Sequence, residues 1–176
     1  MLDVNCPWSF AEALAQGRAL EPYHLAWLEE PLWPPDNLEN LGRLGRLLTM
    51  PLAAGENAAN AWAFKDLARL DRLGILQPSI TKCGGVSEFI QIGMLAELNN
   101  RTLVPHSPYF GPGYLATLQM AAAFPRIPWI EHLSVELEQP IFDDVGLPTA
   151  TGEIAIPQGP GLGADPNPAV LSRYRV

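Results

Sequence analysis

The stretch "LAWLEEP", residues 25–31, is a short apolar run that ends in two acidic residues and a proline. It is followed by "NLENLGRLGRLL", residues 37–48, in which leucines recur with helical spacing at Leu38, Leu41, Leu44 and Leu48. A buried strand followed by an amphipathic helix is the repeating unit of α/β proteins. The stretch therefore predicts one strand–helix unit with Glu29 at the end of its strand.

The same pattern recurs on both sides of this unit. The other predicted strands lie at 2–5, 50–57, 74–82, 102–107 and 128–135, and the other predicted helices at 9–20, 61–74, 87–100 and 113–124. Ser9 and Glu12 form the S-x-x-E pattern of a capping box at the first helix. Gly74 is placed where a glycine commonly ends a helix, after residues 61–73. The sequence thus predicts a series of similar strand–helix units.

Each predicted strand ends in a polar residue, and these residues follow one another at intervals of 23 to 27 residues. They are Asp3, Glu29, Glu56, Ser79, His106 and Glu131. Units of such regular length favour an α/β fold, a partial (β/α) TIM-type barrel of about six βα units, in which the strand ends meet on one face. An open doubly wound sheet is the alternative, but it gathers fewer strand ends into one site.

A closed barrel needs eight strands, and six are predicted here. We therefore expect strands three to eight of such a barrel, truncated at the N-terminus, with an open side that exposes strand edges. Proline and glycine become frequent after Glu138. The predicted domains are an incomplete barrel at 1–137 and, at 138–176, a Pro/Gly-rich C-terminal extension that packs on the barrel.

The composition narrows the classes of function. Of 176 residues 48% are apolar, which is typical of a globular chain with a sizeable core. The net charge is −8 and basic residues do not cluster, which argues against a nucleic-acid partner. No apolar run reaches the length of a membrane span, and Cys6 and Cys83 have no metal-ligand spacing. We expect a cytoplasmic protein without a membrane partner.

Three carboxylates end consecutive predicted strands, at Asp3, Glu29 and Glu56. Carboxylates held side by side repel one another unless a cation compensates their charge. Oxygen ligands without cysteine or histidine favour Mg²⁺. Each residue taken alone is typical of a solvated acid at a strand end, and their matching positions favour the metal. Glu30, next to Glu29 on an extended strand, is expected to face the other way and to act as a supporting acid.

Six motifs occur in a fixed order along the chain: "LDVN", "WLEEP", "AAGEN", "TKCGGVSE", "VPHS" and "IEH". Their order is that of the enolase superfamily. The chain resembles the C-terminal barrel domain of the mandelate racemase and muconate lactonising enzyme group over essentially its whole length.

The resemblance implies a function and a set of site residues. The function is Mg²⁺-dependent removal of the proton α to the carboxylate of a small acid, leading to dehydration or racemisation of a hydroxy acid or sugar acid. The implied Mg²⁺ ligands are Asp3, Glu29 and Glu56. The implied catalytic and substrate-binding groups are His106 as acid or base, Glu131 as hydrogen-bond donor to the intermediate, Lys82 with an electrostatic role, and Asn5 at the substrate.

Two departures from the family pattern leave alternatives open. Ser79 stands where a racemase-like member has an aspartate that orients the histidine, and a hydroxyl carries no charge to stabilise imidazolium. The family's second-strand lysine and its capping domain have no counterpart in the sequence. A catalytically inert fragment or assembly partner, including a homo-oligomer formed through the open barrel side, is the second hypothesis. A carboxylate-binding module without turnover is the third.

Overall fold

The computed structural model describes residues 1–124, 126–143 and 145–175. The chain divides into two compact units, Met1–His106 and Ser107–Val176. This division falls earlier in the chain than the predicted boundary at 137/138. The predicted boundary at 137/138 marks the end of the barrel and the start of its extension, and it does not claim to divide two compact units. It stays a prediction.

The first unit alternates strands and helices. In chain order its elements are β1 (Leu2–Asp3), α1 (Phe10–Leu20), a 3₁₀ turn (Glu21–Tyr23), β2 (Leu28–Glu29), α2 (Leu38–Leu47), β3 (Leu52–Ala54), α3 (Ala61–Ala68), β4 (Leu73–Leu76), α4 (Val86–Leu98) and β5 (Thr102–Leu103). The strands form one parallel sheet in the order β1-β2-β3-β4-β5. The predicted α/β class and the first five strand–helix units, counting the helix after β5, are confirmed.

Helices α1, α2 and α3 each begin at a side-chain cap, close to the positions that the sequence predicts. Ser9 and Glu12 form the capping box of α1, with both reciprocal bonds present. Asn37 caps α2 and Asn60 caps α3, each by accepting a bond from a backbone amide three residues later.

Strands β2, β3 and β4 are largely buried on both of their faces, as parallel strands between a core and helices are. Trp27, Ala53, Ile75 and Val104 pack together as one cluster, with one residue in or beside each of four consecutive strands. Their chain neighbours Leu28, Leu52, Leu76 and Leu103 are buried as well. Because side chains alternate along a strand, these leucines lie on the opposite face of the sheet.

The prediction for Gly74 is wrong. Helix α3 ends at Ala68 with Arg69 as its C-terminal cap, and Gly74 lies inside β4. The ladder register shifts at this point, because Leu52 pairs with Leu73 whereas Ala53 pairs with Ile75. Gly74 is thus the extra residue of a bulge, and glycine inside a strand often marks such a position.

The second unit contains α5 (Pro112–Ala123) and α6 (Pro168–Tyr174). The predicted strand at 128–135 is wrong: the described residues there form no ladder. Instead the Val135 amide donates to the Leu133 carbonyl at 2.9 Å, which folds the segment locally. Apolar periodicity supplies side chains for a strand, but a strand also needs ladder bonds to a neighbour.

Tyr114, Leu115 and Leu118 of α5 form the centre of the second unit's core. Irregular segments pack on them, and a cavity of about 780 Å³ lies between Tyr109, Tyr114, His132 and the segments at 133–137, 140–142 and 145–148. Among the helices that the structure describes, none has the length and apolar character needed to cross a membrane.

Candidate metal centre at the strand ends

The parallel sheet brings several predicted site residues to one edge. Asp3 and Glu29 are the last residues of β1 and β2, and they are paired in register. Glu56 follows β3 by two residues and His106 follows β5 by three. Because the carboxyl ends of parallel strands share one edge, these residues are grouped although they are far apart in sequence.

Three of these residues come close enough to share one ligand. One ligand atom from each of Glu29, Glu56 and His106 lies within 4.8 Å of the others. Both glutamates are 8% exposed. The His106 Nδ1 atom is 2.8 Å from Glu56 Oε2, which is a hydrogen-bonding distance. The arrangement is a largely buried group of two carboxylates and one imidazole.

The two carboxylates have opposite electrostatic surroundings. Burial raises the pKa of Glu29, although its Oε2 accepts a bond from Trp27 Nε1 at 3.0 Å and the side chain of Gln77 donates to it as well. The hydrogen bond from His106 lowers the pKa of Glu56 and outweighs burial, and Lys82 acts in the same direction. The neighbours His106 and Lys82 therefore stabilise the charged form of Glu56. The hydrogen bonds that Glu29 accepts do not offset the effect of its burial.

Asp3 differs from the other two predicted ligands. It is exposed, and its carboxylate accepts bonds from the backbone amide of Asn5 at 2.9 Å and from Asn5 Nδ2 at 3.2 Å. The close group contains His106 rather than Asp3. Asn5 does lie beside Asp3, as expected. The roles of both residues stay predictions.

Lys82 and Ser79 make contacts that bear on the predicted chemistry. Lys82 Nζ lies 3.3 Å from Glu56 Oε1, and its side chain is 46% exposed. Ser79 is fully buried, with its hydroxyl 3.0 Å from that of Thr81. Glu56 thus provides His106 with the negatively charged partner that the sequence analysis found missing at Ser79.

Gln77 is a residue of this site that the sequence analysis missed. It lies one residue past β4, is 3% exposed, and hydrogen-bonds Glu29 through its side chain. Its Oε1 atom is buried and has no hydrogen-bond partner among the described residues. A neutral amide inside "LQPSITK" gives no charge signal, and only its place directly after a strand could have marked it.

These observations test whether the site fits Mg²⁺. Buried carboxylate oxygens and a buried amide oxygen without a partner are hard oxygen groups of the kind that a hydrated Mg²⁺ prefers. Glu29 and Glu56 can each offer one such oxygen within the same small volume. The residues fit the ion.

Glu131 belongs to the second unit. Its Oε2 atom accepts a bond from the Ser107 amide at 3.1 Å, and its backbone carbonyl accepts one from the Ser107 hydroxyl at 2.7 Å. The carboxylate is on an exposed residue. The neighbouring His132 contacts Tyr114 instead, with 3.1 Å between Nδ1 and the phenol oxygen. Ser107 thus orients Glu131, whose role stays a prediction.

The parallel sheet with helices between its strands belongs to the α/β class. Within this class, the family "Enolase C-terminal domain-like" matches residues 1–170. The chain belongs to this family. The resemblance found in the six sequence motifs is therefore confirmed.

Curated relatives are acid-sugar dehydratases and cycloisomerases. An arabinonate dehydratase of Saccharolobus solfataricus is 34% identical over 99% of this chain and 46% of its own length. A D-galactarolactone cycloisomerase of Agrobacterium fabrum is 30% identical over 100% of this chain and 49% of its own length. The chain spans about half the length of the curated relatives it matches.

A solved structure supports the barrel architecture. A mandelate racemase/muconate lactonizing protein from Paracoccus denitrificans, complexed with magnesium, superposes with a TM-score of 0.87 at 27% identity. The match covers 97% of this chain and 46% of that one. The predicted partial-barrel fold is confirmed by this likeness.

Proposed function

We propose that this chain carries the metal-binding side of an active site that removes the proton α to the carboxylate of a hydroxy acid or sugar acid. The observation that carries the proposal is the group of Glu29, Glu56 and His106 at the strand ends. A base beside a cation site is the combination this chemistry needs, since the proton and the negative charge it leaves behind require separate partners.

Glu29 and Glu56 would hold Mg²⁺, with Asp3 as the third predicted ligand. When bound, the ion stabilises the negative charge that develops on the substrate carboxylate as the α-proton leaves. Gln77 contributes a buried acceptor beside Glu29. Its position suits orientation of a ligand or of a water molecule, because its side chain donates to Glu29 while its Oε1 has no partner among the described residues.

His106 would be the acid or base. If Nδ1 donates to Glu56, the carboxylate stabilises the imidazolium, and a proton is taken up or released at Nε2. Lys82, paired with Glu56, adds positive charge near the site, Asn5 contacts substrate, and Glu131 donates a hydrogen bond to the intermediate. These four roles are parts of the proposal.

Dehydration is the reaction we favour. One acid/base group can remove the α-proton and then protonate a departing β-hydroxyl, whereas racemisation needs groups on both faces of the carbon. The arabinonate dehydratase and other curated dehydratases related to this chain support the choice. A small-molecule hydroxy acid in the cytoplasm is the expected substrate.

Proton exchange tests the proposal. The chain is incubated in D₂O with Mg²⁺ and a panel of sugar acids, and the α-proton signal is followed by NMR. We expect loss of the signal with at least one acid, abolished in His106→Asn. His24→Asn is a matched control, because His24 is exposed and has a left-handed φ of 52°, which asparagine tolerates well. Absence of exchange with every acid would contradict the proposal.

A non-catalytic assembly partner is the second candidate. Ser79 in place of an aspartate and the exposed residues of β1 at the end of the sheet order favour it. In this case the chain would associate through β1 into a homo-oligomer, which sedimentation would detect. Binding of Mg²⁺ and acid without proton exchange would instead identify a binding module.

A further inference from the structure

The second acid of the "LEEP" stretch, Glu30, is buried but lies outside the close metal-binding group. It is 5% exposed. Strand β2 ends at Glu29, and Glu30 has a φ of 42° rather than the extended backbone that the sequence suggested. A left-handed glutamate is uncommon and costs free energy, so the surrounding contacts must determine it.

Glu30 connects the segments that follow β1 and β3. Its Oε2 accepts a hydrogen bond from Cys6 Sγ at 3.0 Å, and its backbone carbonyl accepts one from the Cys6 amide at 2.7 Å. Asn57 Nδ2 lies 3.0 Å from Oε1 and 2.9 Å from Oε2. One side chain thus joins three strand ends.

The two residues that Glu30 holds are close in sequence to the predicted ligands. Asn57 directly follows Glu56, and Cys6 follows Asp3 by three residues. Asn5 and Cys6 each have a φ of 54°, so the turn after β1 is left-handed at both residues that precede Pro7. Hydrogen bonds to a buried carboxylate are among the stronger ones, which suits a group that must maintain such a turn.

We propose that Glu30 is a positioning residue that fixes the Glu56 and Asp3 segments relative to Glu29 through Asn57 and Cys6. The catalytic use of Glu29, Glu56 and Asp3 rests on the proposed function. The bonds from Glu30 hold these segments in the protein without metal or substrate as well. Its consequence is that Glu56 keeps a defined orientation towards His106, 2.8 Å away.

The test measures positioning without metal or substrate. Glu30→Gln replaces one of the two oxygens that face Asn57 Nδ2 with an amide donor, and it removes the negative charge that strengthens the bonds from Asn57 and Cys6. Glu30→Gln/Asn57→Asp reverses the polarity of that pair, since the new amide donates to the new carboxylate, and it leaves the total charge unchanged. Glu97→Gln, at an exposed residue of α4, is the control for loss of one carboxylate.

Two measurements are made: one at the segments that follow β1 and β3, and one at the His106 ring. Hydrogen exchange is measured at the amides of Cys6 and Ala58, which donate to Glu30 and Gly55, and the ¹⁵N signals of the His106 ring report its bond to Glu56. In Glu30→Gln we expect exchange at both amides about tenfold faster, with shifted His106 signals. The double variant should restore both, and Glu97→Gln should change neither.

The proposal is overturned if Glu30→Gln matches the wild type at both amides and at His106. It is equally overturned if the double variant stays like the single one, because the bonds to Asn57 would then not carry the effect. Failure of the proposed function has a different signature, namely no α-proton exchange in a wild type whose Glu30 variants still behave as expected.

Discussion

The units Met1–His106 and Ser107–Val176 differ in what holds their backbones in place. In the first, five parallel strands carry the ladder bonds, with buried leucines on one face of the sheet and the cluster around Trp27 on the other. In the second, the described residues contribute no strand to that sheet. Side chains bond directly to irregular backbone there: Tyr114 donates to the Gly146 carbonyl at 3.0 Å and Gln119 to two others.

The difference shows how each unit can orient functional groups. A parallel ladder brings every strand end to one edge, so Glu29, Glu56 and His106 are grouped by the backbone pattern itself. In the second unit a residue is oriented by individual bonds, as Ser107 does for Glu131. The stability of the first unit should therefore depend mainly on core packing, and that of the second mainly on single polar contacts.

The largest expected effect is in the core of the first unit. Leu52→Ala removes a side chain that is fully buried in β3 and leaves a cavity. We expect the free energy of unfolding to fall by about 2–5 kcal/mol in denaturant titrations. Leu98→Ala, at a leucine that is 87% exposed, is the control and should stay within about 0.5 kcal/mol of the wild type. Similar losses for both would mean that burial does not distinguish these positions.

A smaller effect is expected from one polar contact of the second unit. Gln119 Nε2 donates to the carbonyl of Pro157 at 2.8 Å and to that of Leu162 at 3.2 Å. Gln119→Ala should cost about 1 kcal/mol and speed proteolytic cleavage near these residues. Gln158→Ala makes the same chemical change at an exposed glutamine whose bond, to Ile156, is local. Equal cleavage of the two variants would show that the second unit is not held by such contacts.

The smallest effect concerns the capping box of α1. The hydrogen bonds from Ser9 lower the pKa of Glu12, so its charged form stabilises the folded chain. This contribution is present above the ordinary glutamate pKa of about 4.3 and is lost as the pH falls through it and below. The melting-temperature difference between wild type and Ser9→Ala should therefore shrink between pH 7 and pH 3. A constant difference would contradict a charged cap.

Much of the first unit could be predicted from sequence because its signals are local and repeated. Apolar runs placed β1 to β5, and the S-x-x-E pattern placed the start of α1. The polar residue at each strand end identified most of the grouped site. Glu30 was expected to be a supporting acid, but its left-handed backbone and the role of Gln77 were not predicted. A neutral amide carries no charge signal, and a left-handed glutamate after a strand has no local pattern.

The rest could not be predicted, because it depends on contacts between distant residues. Residues 128–135 have the composition of a strand, yet ladder bonds depend on a neighbour that composition does not reveal. Gly74 suits a helix end equally well as a bulge, and only the shifted register in β4 decides. The predicted ligand Asp3 is likewise exposed and bonded to Asn5, which strand-end spacing alone does not indicate.

The central claim is that the strand ends of the first unit form a cation site, and calorimetric titration with Mg²⁺ tests it most directly. We expect one binding event in the wild type, weakened at least about tenfold in Glu56→Gln and in Glu29→Gln, and unchanged in Glu97→Gln. A wild type that takes up no Mg²⁺, or one whose affinity is unaffected by either of the first two substitutions, would contradict the account.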